Sequence, residues 1–330
     1  MLDRLSIIIV TYNNGEILRQ CLNSLKHSCG VLPEIIVVDN ANDSATKLLV
    51  AEYENTKYIA AKENLGFAGG NNLGLPYCTR DYILLLNDDT IIDEEPFSDL
   101  IKYLQEHSEV GVVQGTMLLP NCENTLDSCG SFLTPFGVHY FQYFLEPLNN
   151  PEEQLKALPV FSVKGALMLF HREILQKVNG VLFYDNFKNY YEEIDFCHRV
   201  WLAGREVHFV GTKPIQHLMG QTSRKFAQSE IWSQYIANIL FSFNTLFDNY
   251  GMWYILPRFY LINLANFLRS IVCFKWGMVS AYFKVFPKYK KTAALRKKVR
   301  KQIQSARVIS DRELFKKIMV KPSLRFYFKH

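Results

Sequence analysis

An apolar run, Leu84-Leu85-Leu86, ends abruptly in Asn87-Asp88-Asp89-Thr90. Hard divalent cations such as Mg2+ and Mn2+ take oxygen ligands, and a carboxylate at the tip of a strand can bridge one to a pyrophosphate. Solvated turns and helix caps use the same residue types, so the four residues alone leave both uses open. A second acidic group, in Tyr190-Tyr191-Glu192-Glu193-Ile194-Asp195-Phe196-Cys197-His198-Arg199, opens a helical stretch. Acids there gain from the helix dipole, and Asp195 and Arg199, four apart, are expected to pair at the surface. Glu192 and Glu193 are then left at an exposed helix start, where a general base can face a cleft. Residues 64–74, NLGFAGGNNLG, are rich in glycine and asparagine. They form either a cradle of backbone amides for a nucleotide or a plain surface loop, and they match neither a dinucleotide fingerprint nor a P-loop. His217 is a candidate third ligand, although a lone histidine is more often structural.

The elements that would carry these groups alternate. Residues 5–10 form a short β-branched run that ends in Thr11-Tyr12-Asn13-Asn14-Gly15, followed by a helical pattern at Ile17, Leu18, Cys21, Leu22 and Leu25. Residues 34–38 read as a second strand closed by Asp39-Asn40, 46–53 as a helix, 58–60 as a third strand and 82–86 as a fourth. Such alternation predicts a mostly parallel sheet with right-handed crossovers. Ligands then bind beyond the carboxyl ends of the strands, where 11–13, 39–40 and 87–89 should converge. Two further short strands are expected at 111–113 and 161–163, on either side of a Pro-, Gly- and aromatic-rich region.

A chain of 330 residues allows one large core with an extension, and 48% hydrophobic with 21% charged residues is a folded, globular composition. The net charge of +5 hides an asymmetry. From residue 231 onward 19 Lys or Arg face only Asp248, Asp311 and Glu313, a surplus of 16, so residues 1–230 carry −11. A tail of that kind suits an anionic partner. The stretch 255–286 is apolar but broken by Arg258, Arg269, Lys275 and Lys284, which points to an interfacial rather than a spanning segment. Seven cysteines without C-x-x-C pairs and without a signal peptide read as reduced thiols in the cytoplasm.

Taken in order, SIIIVTYNN (6–14), IIVVDN (35–40), ENLGFAGGNNLG (63–74), LLLNDDT (84–90), VKGALMLFHREIL (163–175), YYEEIDFCHR (190–199) and HLMGQTS (217–223) resemble glycosyltransferase family 2. Within it they look like the subgroup of bacterial rhamnosyltransferases and related enzymes of surface-polysaccharide assembly. The resemblance covers residues 6 to about 225. It implies a GT-A fold, α/β with a Rossmann-like central sheet, and an inverting reaction that uses Mn2+ or Mg2+. It also implies roles: Thr11, Tyr12, Asn13 and Asp39 hold the nucleoside, Asp39 through the base, and Asn64, Gly66 and Asn71 shape the loop beside it. Asn87-Asp88-Asp89 takes the DxD position, with Asp88 near the ribose or pyrophosphate and Asp89 on the metal. Asn87 stands where the family has Asp, which removes one charge from the metal site. His217 completes the metal or diphosphate contacts. At the base position the family has Glu-Asp where this chain has Glu192-Glu193, which makes Glu193 the base and leaves Asp195 as a second candidate.

The expectation is a glycosyltransferase domain over 1–228 and a helical, basic, membrane-proximal extension over 229–330. The enzyme would move a sugar from a UDP- or dTDP-linked donor to a lipid-linked or polysaccharide hydroxyl in O-antigen- or capsule-type synthesis. It would sit peripherally on the inner face of the cytoplasmic membrane, drawn there by eight Lys or Arg and no acid in 287–302. A solvated basic helix is the plainer use of such a run. Two other classes compete. A sugar nucleotidyltransferase would release pyrophosphate and would carry a Gly-rich basic loop where TYNNGE stands. A nucleic-acid-binding protein would use the basic tail, but the acidic first part repels a phosphate backbone, so no nucleic-acid partner is expected.

Overall fold

The computed structural model describes residues 1–120, 124–218 and 227–328. Cys122 and most of the HLMGQTS motif, beyond Leu218, lie outside these. The strands are β1 (Leu5–Thr11), β2 (Glu34–Asp39), β3 (Thr56–Ala60), β4 (Tyr82–Asn87), β5 (Thr90–Ile91), β6 (Val110–Gln114), β7 (Met117–Leu119), β8 (Thr125–Leu126), β9 (Ser131–Leu133), β10 (His139–Phe141), β11 (Leu158–Pro159), β12 (Leu167–His171), β13 (Glu206–Phe209) and β14 (Ile215–His217). The helices are α1 (Gly15–Ser28), α2 (Ser44–Val50), α3 (Gly66–Gly74), α4 (Phe97–Glu106), α5 (Pro151–Gln154), α6 (Ile174–Lys177), α7 (Glu192–Leu202), α8 (Gln228–Leu246), α9 (Asn249–Val272), α10 (Trp276–Lys291), α11 (Ala293–Ala306) and α12 (Asp311–Ile318).

The central sheet runs β11-β13-β6-β12-β4-β1-β2-β3. β3, β2, β1 and β4 are parallel neighbours, whereas β12 lies antiparallel between β4 and β6, so the sheet is mixed. β1, β2 and β4 read as continuous apolar runs because both faces are covered, whereas the edge strand β3 is half exposed. Ile7 and Ile9 join the core under α1, α2 and α4, while Ile8 joins the core shared with α3 and α7. Register then aligns the strand ends: Thr11 pairs with Asp39, and Val10 with Asn87. A smaller sheet, β5-β14-β7-β8, stands at that same edge, and in it His217 pairs with Thr90.

The strand expected at 161–163 is not formed. β11 ends at Pro159 and β12 begins at Leu167, and within the expected stretch Ser162 makes only an isolated bridge to Ser131. The Ser131 amide donates to the Ser162 carbonyl, which holds the segment without a ladder. The irregular region in front of it contains the β9–β10 hairpin and two strands of the small sheet.

The extension is more tightly joined than an appendage. α8 begins at Gln228, and Ile236, Phe241 and Phe243 enter the same core as Phe161 and Trp201. α8 also supplies polar contacts to the segment before α7. Asn238 Nδ2 donates to the Tyr190 carbonyl (2.8 Å) and Ser242 Oγ to Asp195 Oδ1 (2.6 Å). Asp195 and Arg199, expected at the surface, are both buried. Arg199 Nε donates to Asp195 Oδ2 (2.8 Å), and its two terminal nitrogens donate to the Val181 and Leu182 carbonyls. The described cysteines are free thiols, all buried except Cys273.

Breaking a buried ion pair leaves an uncompensated charge, which costs about 3–5 kcal/mol. Arg199→Met is therefore expected to lower the unfolding free energy by roughly that amount in a urea titration; a loss below about 1 kcal/mol would mean that the pair is not structural.

Candidate active site

A cavity of about 430 Å³ opens at the aligned strand ends. Its walls include the end of β1 (Thr11, Tyr12), the turn after β4 (Asn87, Asp88, Asp89), the start of α3 (Asn64, Gly66), the start of α7 (Glu192, Glu193) and β14 (His217). Of the residues singled out from the sequence, Asn13, Asp39, Asn71 and Asp195 are not on its walls. Asp39 is buried and saturated by its own turn, its carboxylate accepting from the Ala41 and Asp43 amides and the Tyr58 hydroxyl. Asn71 is buried and donates to the Phe67 carbonyl (2.9 Å). Asp195 is corrected as a candidate base, since its two oxygens serve Arg199 and Ser242 inside the core.

The glycine-rich stretch does not form an amide cradle. The Leu65 amide donates to Asn40 Oδ1 (3.3 Å), Gly66 to Asn64 Oδ1 (2.9 Å), Phe67 to Asn189 Oδ1 (2.9 Å) and Ala68 to the Lys188 carbonyl (3.2 Å). The stretch is instead a close-packed helix start. Gly66 has φ +70°, and a Cβ there would lie 2.2 Å from the Lys188 oxygen, which no side chain tolerates.

Glu192 and Glu193 are held by backbone strain. Tyr190 and Tyr191, immediately before α7, both adopt left-handed φ (71° and 79°), a conformation non-glycine residues avoid. The Tyr191 ring is buried with its hydroxyl 3.1 Å from His139 Nε2, and α8 holds the Tyr190 carbonyl. The helix start is not exposed, contrary to expectation. Glu192 is only 3% exposed and its Oε2 has no hydrogen-bond partner. Burial, reinforced by the neighbouring Glu193, drives the Glu192 carboxyl well above its ordinary range. Burial lifts Glu193 to about 6, with Lys164 pulling the other way.

Two residues missed in the sequence, Lys164 on the cavity wall and Asp127 buried beside it, support His217. Asp127, fully buried after β8, accepts from His217 Nδ1 (2.7 Å) and from Lys164 Nζ. Lys164 lines the cavity. The other imidazole nitrogen, Nε2, faces Asp89 Oδ1 at 3.4 Å and the Asn87 amide at 3.4 Å, and Asp89 Oδ1 is buried without a hydrogen-bond partner. Burial alone would depress the imidazole, but the two carboxylates outweigh it and lift His217 to about 9. Asp89 Oδ1 and the imidazole nitrogen it faces, whose far nitrogen is fixed by Asp127, fit a divalent cation that would take the place of the second imidazole proton. No cluster of three or more His, Cys, Asp or Glu that could hold a metal occurs among the described residues. Asp89 and His217 would therefore share the ion with oxygens of a bound ligand.

Residues 6–178, just over half of the chain, match the family model for glycosyl transferase family 2. A low-salt glycan biosynthesis hexosyltransferase of Haloferax volcanii is 30% identical over 208 residues, 60% of this chain and 62% of that protein. The chain thus spans less than two thirds of that relative. The rhamnosyltransferase WbbL of Escherichia coli is 26% identical over 231 residues, 67% of this chain and 85% of that one. The crystal structure of GalNAc-T7 with UDP, GalNAc and Mn2+ superposes with a TM-score of 0.59 at 16% identity, covering 76% of this chain and 49% of that one. This last likeness is one of fold, the GT-A arrangement of a mixed sheet between helices.

Removing the carboxylate behind a metal-ligating histidine commonly costs 10–100-fold in metal affinity. Asp127→Asn is expected to weaken Mn2+ binding by about that factor in isothermal titration while circular dichroism stays that of the parent. An unchanged affinity would take His217 out of the cation site.

Proposed function

The chain belongs to glycosyl transferase family 2, and from that membership we propose that it is an inverting glycosyltransferase that moves a sugar from a UDP- or dTDP-linked donor to a hydroxyl of a lipid-linked glycan. The observation that carries the reading is that Glu193, a carboxylate able to ionise near neutral pH, lines the same cavity as Asp89 and His217. Thr11 and Tyr12 would face the nucleoside. The Thr11 hydroxyl is buried without a partner and is available to a ligand. Asn13, Asp39 and Asn71 would act from behind the wall by fixing the turns that the nucleotide meets.

Asp89 and His217 would hold Mn2+ or Mg2+, which when bound neutralises charge on the leaving diphosphate, with Asp88 and Asn87 beside it. The chain's own residues account for the rest. Glu193 takes the proton from the acceptor hydroxyl as its oxygen bonds to the anomeric carbon, and the bond from that carbon to the diphosphate breaks on the opposite face. One displacement with one base inverts the configuration. Burial disfavours a second negative charge at Glu192, next to the base. Lys164 adds a positive charge to the wall, which favours ionised Glu193 and the departing phosphates alike. Related glycan-building proteins and the basic extension support an acceptor at the inner face of the cytoplasmic membrane.

Glu193→Gln is expected to lower the transfer rate by about 10²–10⁴-fold while nucleoside diphosphate still raises the melting temperature in the presence of Mn2+. Full activity in that variant would sink the assignment. Because Glu193 must be ionised to accept a proton, kcat/KM should rise with pH through about 6 and then level off. In Lys164→Met the rise should move to higher pH, since the charge that favours the ionised form is gone; an unmoved profile would mean that another group titrates.

A further inference from the structure

α9 has two apolar faces. Ile255, Leu256, Phe259 and Ile262 face the core, where the Phe259 ring meets Phe243 at 5.4 Å between centroids. The opposite side carries Trp253, Pro257, Leu261, Leu264, Leu268 and Val272, all exposed, at spacings of three and four that mark one face of a helix. Trp253 is 81% exposed. From Trp253 to Val272 the stripe is about 30 Å long. Monomeric soluble proteins rarely leave a continuous apolar strip of that length uncovered.

The stripe continues through the turn into α10. Phe274 sits in a left-handed conformation (φ 53°), where glycine would be the least strained residue, and is 76% exposed. Trp276 follows at 61%, and Phe283 and Phe286 are exposed along α10. Phe274 meets Trp276 at 6.4 Å between ring centroids, and Phe283 meets Phe267 at 6.0 Å.

Charge identifies the cover. Between Asp248 and Asp311 there are 13 Lys or Arg and no acid. Lys275 at the turn and Lys290 and Lys291 at the end of α10 make no ion pair among the described residues. A second copy paired through this face would set each cluster against its own image, whereas anionic headgroups complement it. Among the described residues no helix is long and apolar enough to cross a membrane. The geometry points to the α9–α10 hairpin as a docking face that lies in the surface of an anionic phospholipid bilayer. Its stripe and the Phe274–Trp276 tip meet the acyl boundary, and its lysines meet the headgroups. This deepens the membrane-proximal reading above and rests on it for the identity of the partner.

The test is flotation of the full chain with vesicles of phosphatidylcholine alone and of phosphatidylcholine mixed with phosphatidylglycerol. The chain should float with the mixed vesicles, less so in high salt. Phe274→Glu/Trp276→Glu should weaken this by about tenfold or more, with its circular dichroism and its transfer to a short water-soluble acceptor unchanged. Lys290→Glu/Lys291→Glu should weaken binding to mixed vesicles alone. Failure of the parent chain to float, equal binding by the aromatic variant, or a stable dimer that this variant dissociates would overturn the docking face. A chain that floats but transfers no sugar would leave the face standing and sink the catalytic reading; one that transfers but never floats would do the reverse.

Discussion

The start of α7 depends on a polar seam with α8. Two successive tyrosines in left-handed conformations carry strain of order 1–3 kcal/mol each, and such strain persists only where its surroundings over-determine it. Here the surroundings are Asn238, whose amide takes the Tyr190 carbonyl, Ser242, which holds Asp195, and the His139–Tyr191 contact. Each is a buried polar group that would be left without a partner if the segment relaxed. The carboxylate pair therefore owes its position to a helix that lies beyond the matched family region, and the extension is part of the site's architecture.

Of the two adjacent glutamates, burial pushes Glu192 well above the ordinary carboxyl range and Glu193 to about 6. Asp127 is shared between His217 and Lys164, which fixes the imidazole and leaves its second nitrogen towards Asp89.

The parts written in local patterns were readable in the sequence. Apolar runs ending in polar tips gave β1, β2 and β4, because a strand buried on both faces has no polar alternation to confuse it. What was not readable depends on distant partners. Asp127 follows a two-residue strand in an irregular region, and only the tertiary fold brings His217 and Lys164 to it. Asp195 and Arg199 have the spacing of a surface pair, and nothing local says that α8 will cover them. The amides at 65–68 looked free because their partners, Asn40, Lys188 and Asn189, come from elsewhere in the chain.

α8 packs into the same core as the sheet, so the cavity and the helices that follow are joined through packed side chains. A protein held by those helices would carry its cavity at a constant height above whatever surface they rest on. It would then work as a ruler: a hydroxyl too close to the lipid would not rise to Glu193, and one several sugars further out would overshoot it. Acceptor choice would follow from the length of the glycan already built as much as from the identity of its last sugar.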